Sequence, residues 1–162
     1  LAKTWSDGSA APVVLARKLG DVLSAILRGD LAEFVDLEQV RREIEEAIQG
    51  HPAIAEVAVV GVEDKLKGQV PMAFAVVKDA ARVATPELVK ALEKEVFGTV
   101  DSILGAIGRP ARVHFVTGLP KTRSGKMLRR SLQALAEGRD PGDLTTIDDP
   151  STLEQIKNAL AN

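Results

Sequence analysis

Residues 55–62 read AEVAVVGV and residues 71–77 read PMAFAVV. Both are short, rich in β-branched residues and apolar at nearly every position. The charged segment EDKLKGQ joins them, with Gly68 available to turn the chain. A strand with one wet face alternates apolar and polar residues; runs without that alternation predict strands covered on both faces. A sheet buried on both sides is the feature around which the rest of the chain has to be arranged.

The flanks supply what covers it. Upstream, Asp36 is a fair N-cap, and Leu37, Val40, Ile44, Ala47 and Ile48 share one helical face before Gly50-His51-Pro52 ends the pattern. Earlier still, apolar residues from Val13 to Leu27 recur at helical spacing with Gly29-Asp30 as a stop, and LAKTWSDGSAAP at 1–12 reads as linker. Downstream, Thr85-Pro86-Glu87 starts a helix with Pro at its first position. Leu88, Leu92 and Val96 share its face, and apolar spacing resumes through Ile103 and Leu104. Gly108-Arg109-Pro110 breaks it, and RVHFVT at 112–117 is a third strand. A further helix is predicted from about Gly125 to Glu137, with Met127 or Leu128, Leu132, Leu135 and Ala136 inward and Gly138 as terminator. Turn chemistry at RDPGD and IDDPS precedes a last short helix from Ser151. The order αββαβα predicts an α+β fold, a small, mostly three-stranded sheet packed against helices.

Composition narrows the function. The 162 residues suffice for one domain with a proper core. A formal charge of −2 argues against general nucleic-acid binding, which usually needs a basic excess. No apolar run has the length of a membrane span, so no membrane partner is expected. The absence of Cys removes disulfides, thiolate metal ligands and Cys nucleophiles, and fits a cytoplasmic location. No metal site is expected: His114 alternates within a strand without ligand partners at useful spacing, and His51 reads as part of a helix end. The chain opens on Leu1 and has only Met72 and Met127, which predicts a piece of a longer protein or a processed product.

One segment carries chemistry. Residues 121–130 hold Lys121, Arg123, Lys126, Arg129 and Arg130 with no acid among them, an anion-binding surface in a net acidic chain. Ser124 or Thr122 is expected to cap the following helix, whose N-terminal N–H groups favour anions. A lysine at the end of such a loop offers a point charge to a carboxylate or phosphate that gains negative charge during reaction. A solvated charge run is the plainer alternative. A phosphate-cradling G-x-x-x-x-G-K-[ST] loop is excluded, because Gly118 lies too far upstream of Gly125 and Met127 follows Lys126.

The run Leu119-Pro120-Lys121-Thr122-Arg123-Ser124-Gly125-Lys126, continued by Met127-Leu128-Arg129-Arg130, resembles the C-terminal motif of the AMP-forming acyl-CoA synthetases. Upstream, REIEEAIQGHPAIAEVAVVGVEDKLKGQ is similar to the helix–strand–turn of the same family's C-terminal lid domain. Downstream, AEGRDPGDLTTIDDPSTLEQI resembles the tail of its short-chain acetate and propionate ligases. The resemblance covers about residues 42–160.

The resemblance implies a lid over residues 37–140, a tail over 141–162 packing on it, and a linker with a remodelled hinge over 1–36. It implies Lys126 as the catalytic lysine of adenylation, and Arg123, Lys121 and Ser124 as candidates for steering phosphates. Asp21 is the hinge candidate, although the Gly-His-Arg run expected after it is replaced by other residues. An arginine that contacts coenzyme A in the acetate ligases aligns with Asp101, where a carboxylate cannot take that role. The implied substrates are a short-chain carboxylic acid, ATP with magnesium, and coenzyme A, bound mainly by a large N-terminal adenylation domain. By itself, this chain is expected to be inactive. The resemblance further implies Lys126 as an acetylation site, with a protein acetyltransferase and a sirtuin-type deacetylase as partners. The alternative function is a freestanding regulatory or interaction module that keeps the lid fold without catalysis.

Overall fold

A computed structural model describes residues 37–66, 68–105 and 108–162. Helix α1 (Leu37–Gln49) leads into strands β1 (Ile54–Asp64) and β2 (Gly68–Val77). Helix α2 (Pro86–Leu104), strand β3 (Arg112–Val116) and helices α3 (Arg129–Ala136) and α4 (Ser151–Ala161) follow. The predicted helix over 13–27, the cap at Asp36 and the hinge candidate Asp21 lie outside the described residues.

The three strands form one mixed sheet in the order β1-β2-β3. β1 and β2 pair antiparallel through their short connection, with Val59 opposite Ala73 and Gly61 opposite Pro71. β3 lies parallel to β2, Phe74 opposite His114. A parallel neighbour needs a crossover, and α2 supplies it. Thr85 starts that helix as its sequence indicated: its side chain accepts the Leu88 N–H at 3.3 Å, and Pro86 follows.

The sheet is covered on both faces, and alternate residues of each strand go to opposite sides. Val57, Val59, Ala73, Ala75 and Val113 meet Ile44, Ala47 and Ile48 of α1 and Leu92, Val96, Val100 and Leu104 of α2. Ala58, Val60, Val62, Phe74 and Val116 meet Leu132 and Leu135 of α3, Leu153 and Ile156 of α4, and Ile147 between them. Phe74 is fully buried and stacks on His114 with ring centroids 5.4 Å apart. Burying such a side chain contributes about 1.5–3 kcal/mol, so the second face has an aromatic centre despite the scarcity of aromatics.

Two local expectations are corrected. Leu88 and Ile103 are exposed, and the buried face of α2 is Leu92, Val96, Val100 and Leu104. Residues four apart drift about 40° around a helix, so the buried set from Leu92 to Leu104 spans about 120° and Leu88 lies about 40° beyond its edge. The second correction concerns the last helix before the tail. It begins at Arg129, not at about Gly125, and its N-cap position, Leu128, makes no side-chain capping bond. Neither Ser124 nor Thr122 caps it.

Candidate functional site

What precedes α3 is a small hairpin. Lys121 and Met127 form an antiparallel bridge, and the Thr122 N–H donates to the Lys126 carbonyl at 2.8 Å. Gly125 N–H returns to the Thr122 carbonyl at 2.8 Å, and Gly125 has φ +87°. A hydrogen-bonded four-residue turn followed by a left-handed residue is the usual geometry of a three-residue hairpin loop. Here the loop is Arg123-Ser124-Gly125. Glycine takes the left-handed position without the penalty a Cβ would bring. The Thr122 hydroxyl braces the hairpin instead of capping a helix: it accepts the Lys126 N–H at 3.1 Å and lies 2.9 Å from the Ser124 hydroxyl.

The hairpin is anchored on several sides. The Leu128 N–H donates to the Pro120 carbonyl at 2.9 Å. On the other edge, Thr122 bridges to Ile147, and the Asp148 N–H donates to the Lys121 carbonyl at 2.9 Å. The tail thus adds a third short strand to the hairpin while Ile147 enters the core beneath it. The Lys121 ammonium pairs with Glu56 of β1. Past the return strand, the Arg129 guanidinium takes both oxygens of Glu45 on α1, one contact at 3.2 Å.

The cations of this segment therefore divide. Lys121 and Arg129 are engaged by carboxylates of the α1–β1 unit. Arg123, Lys126 and Arg130 are exposed, and among the described residues none of their charged ends has a hydrogen-bond or ion-pair partner. Lys126 sits where the hairpin leaves its turn, with its backbone doubly bonded to Thr122 and its ammonium in solvent. A backbone held this way with a free cation at its tip suits an anion presented from outside the domain. The anchoring also corrects the source of that preference: with α3 starting at Arg129, the side-chain charges attract anions, without help from a helix N-terminus at the loop.

Among the described residues, no group of three or more His, Asp or Glu is placed to hold a metal ion. Nor is any described helix long and apolar enough to cross a membrane. Asp101 is committed elsewhere, paired with Arg109, whose guanidinium also lies 5.3 Å from the Phe97 ring centre. His51 is buried at the end of α1. Its Nδ1 accepts the Ala53 N–H at 3.1 Å, and its Nε2 lies 3.3 Å from Glu95 of α2, a structural role in the turn to β1.

Glu45, Glu56 and Ile147 were not legible as parts of this site. Thr122 carried a signal in its place before a glycine turn. The two glutamates looked like ordinary surface charges, and Glu45 meets Arg129 across 84 positions of sequence.

Residues 43–126 match the family model of the AMP-binding enzyme C-terminal domain. The chain is 59% identical over 119 residues to the propionate–CoA ligase of Escherichia coli (strain K12), a match covering 74% of this chain and 19% of that protein. It is 48% identical over 117 residues to the acetyl-coenzyme A synthetase of Pyrobaculum arsenaticum, covering 72% of this chain and 17% of that protein. Among solved structures, acetoacetyl-CoA synthetase from Streptomyces lividans superposes with a TM-score of 0.56 at 23% identity, over 73% of this chain and 17% of that one, a likeness of fold. The chain spans about a fifth of the length of the curated relatives it matches.

Proposed function

Because the chain belongs to the AMP-binding enzyme C-terminal domain family, we propose that it is the lysine-bearing lid of an acid–thiol ligase that makes propionyl-CoA, or acetyl-CoA, through an acyl-adenylate. The observation that carries this reading is the exposed Lys126 ammonium on a hairpin held in place through Lys121 and Arg129, with Arg123 also exposed at the turn. The identity to propionate and acetyl ligases supports the substrate class.

In the first half-reaction a carboxylate oxygen of the acid attacks the α-phosphorus of ATP. The new O–P bond forms as the bond to the β-phosphate oxygen breaks, and pyrophosphate leaves with that electron pair. Two anions have to approach, and a cation between them lowers the cost of bringing them together. Lys126 supplies that cation from the lid. Arg123, at the turn beside it, steers the phosphates, while Lys121, on Glu56, and Ser124, on Thr122, hold the turn. ATP, its magnesium, the acid and coenzyme A bind mainly to a large adenylation domain, and this chain alone does not turn over. In the second half-reaction the thiol of coenzyme A attacks the acyl carbon and AMP departs, with the lid turned so that Lys126 has withdrawn.

Acetylation of Lys126 removes its charge and blocks the first step, which makes that exposed lysine a target for a protein acetyltransferase and a sirtuin-type deacetylase in the cytoplasm. In the full-length enzyme, Lys126→Ala lowers acyl-adenylate formation, read as pyrophosphate release, by about 10²-fold or more. Thioester formation from supplied propionyl-AMP stays close to wild type. Equal loss in both steps overturns the assignment.

A further inference from the structure

The anchoring of the hairpin raises the question of what sets the position of Lys126 in space. Its backbone is bonded to Thr122, and the strand holding Thr122 is flanked by the tail. What ties that unit to the helix on the far side of β1 is the side chain of Glu45. This carboxylate is 16% exposed and has three cationic or N–H partners. It receives the Arg129 guanidinium through both oxygens. Its Oε1 also accepts the Val59 N–H at 2.8 Å, and Arg41 NH1 lies 2.9 Å from the same atom.

The Val59 bond fixes the carboxylate against the open edge of β1. Arg41 is held in turn by Glu38, at 2.8 Å, one helical turn earlier. Glu45 is therefore a fixed anion between two guanidinium groups, and Arg129 is only three positions after Lys126.

We propose that Glu45 is a positioning residue for Lys126: by neutralising Arg41 and Arg129 together, it sets where the lysine hairpin meets the α1–β1 unit. This inference rests on the proposed role of Lys126. The physical argument gives a sign as well as a size. Without the Glu45 charge, the Arg41 and Arg129 guanidinium groups, 15% and 34% exposed, lose the anion they share and repel, with Glu38 offsetting the charge of Arg41 only in part. Only Arg129 is attached to the start of a short helix, so the hairpin end is what moves. A displacement of about 1 Å at a reacting group costs up to about 10²-fold in rate. Removing Arg129 alone loses the tether but creates no repulsion.

The test uses the full-length enzyme with Glu45→Gln, Arg129→Gln, the double variant and Lys126→Ala. Gln keeps an acceptor for the Val59 N–H and removes the charge. Glu45→Gln is expected to lower acyl-adenylate formation by about tenfold or more and Arg129→Gln by less. The double variant should recover to the Arg129→Gln level, because the repulsion is gone. Thioester formation from supplied acyl-adenylate should stay within about twofold in all three, since that step does not use the hairpin. Amide hydrogen exchange should quicken at Thr122 and Leu128 in Glu45→Gln and stay unchanged at Phe74. Lys126→Ala separates the two readings. If it leaves adenylation intact, the site assignment fails and the positioning role with it. If it abolishes adenylation while Glu45→Gln leaves both rate and exchange unchanged, the positioning role alone is overturned. A double variant worse than Glu45→Gln, or equal losses in both half-reactions, also overturns it.

Discussion

The β1–β2 hairpin and the lysine hairpin at residues 121–127 are built to opposite standards. The β1–β2 turn carries Lys65 and Leu66 at its tip, with Leu66 94% exposed, and the Leu66 N–H donates within the turn to Asp64 Oδ1 at 2.8 Å. The lysine hairpin is bonded on one edge to the tail, on the other to its own return strand, and ionically to α1 and β1. Both display exposed lysines. The second holds its lysine against several independent neighbours, and preorganisation of that kind is what separates a directed charge from a solvated one. The contrast explains how a charge run of ordinary composition can be chemically specific.

The largest expected difference between the two hairpins is in activity. The loss of about 10²-fold expected for Lys126→Ala has to be absent for Lys65→Ala when acyl-adenylate formation is assayed on the full-length enzyme. Comparable losses would erase the distinction. Next come the turn glycines. Gly125 and Gly68 both have positive φ, +87° and +81°, with open space where a Cβ would stand. Gly125→Ala and Gly68→Ala should each cost about 1 kcal/mol in chemical denaturation, from backbone strain alone. Only Gly125→Ala should also slow adenylation, because it tilts the strand bearing Lys126.

A smaller effect is expected at Lys121. Its pair with Glu56 is partly exposed, 31% and 45% at the two side chains, so Lys121→Ala should cost less than about 1 kcal/mol of stability. A bracing role leaves the KM for ATP near wild type; a large rise in it would return Lys121 to the phosphate-binding set. The gentlest effect is a drift of stability with pH from His114 on β3. Burial is the main cause holding the His114 imidazole below its ordinary pKa of 6.5, with the charge of Arg112 adding to it. The unfolded chain therefore binds the proton more readily. The His114 contribution to stability is fully present above pH 6.5 and declines as the pH falls through that value toward the folded one. Thermal melts at decreasing pH should show the decline, and His114→Phe should flatten it.

Much of this was legible in the chain itself, where physical causes are local. Apolar runs without alternation at 55–62 and 71–77 meant strands covered on both faces, and each strand indeed sends side chains into a core on either side. Thr85-Pro86 marked a helix start, because a capping hydroxyl and a fixed φ act on the next three residues only. The basic segment was recognisable by its charge. What the sequence could not determine was its shape and its company. Lys121-Thr122 closes on Lys126-Met127 because the tail lies alongside and Leu128 returns to Pro120, bonds that compete with a helix starting at Gly125. The division of its cations into held and free depends on Glu56 and Glu45, brought up by β1 and α1 from 65 and 84 positions away. Near-neighbour sterics and capping decide which element a segment forms, so they can be read along the chain. Which charges meet depends on where the folded sheet sets its helices, and that belongs to the tertiary structure alone.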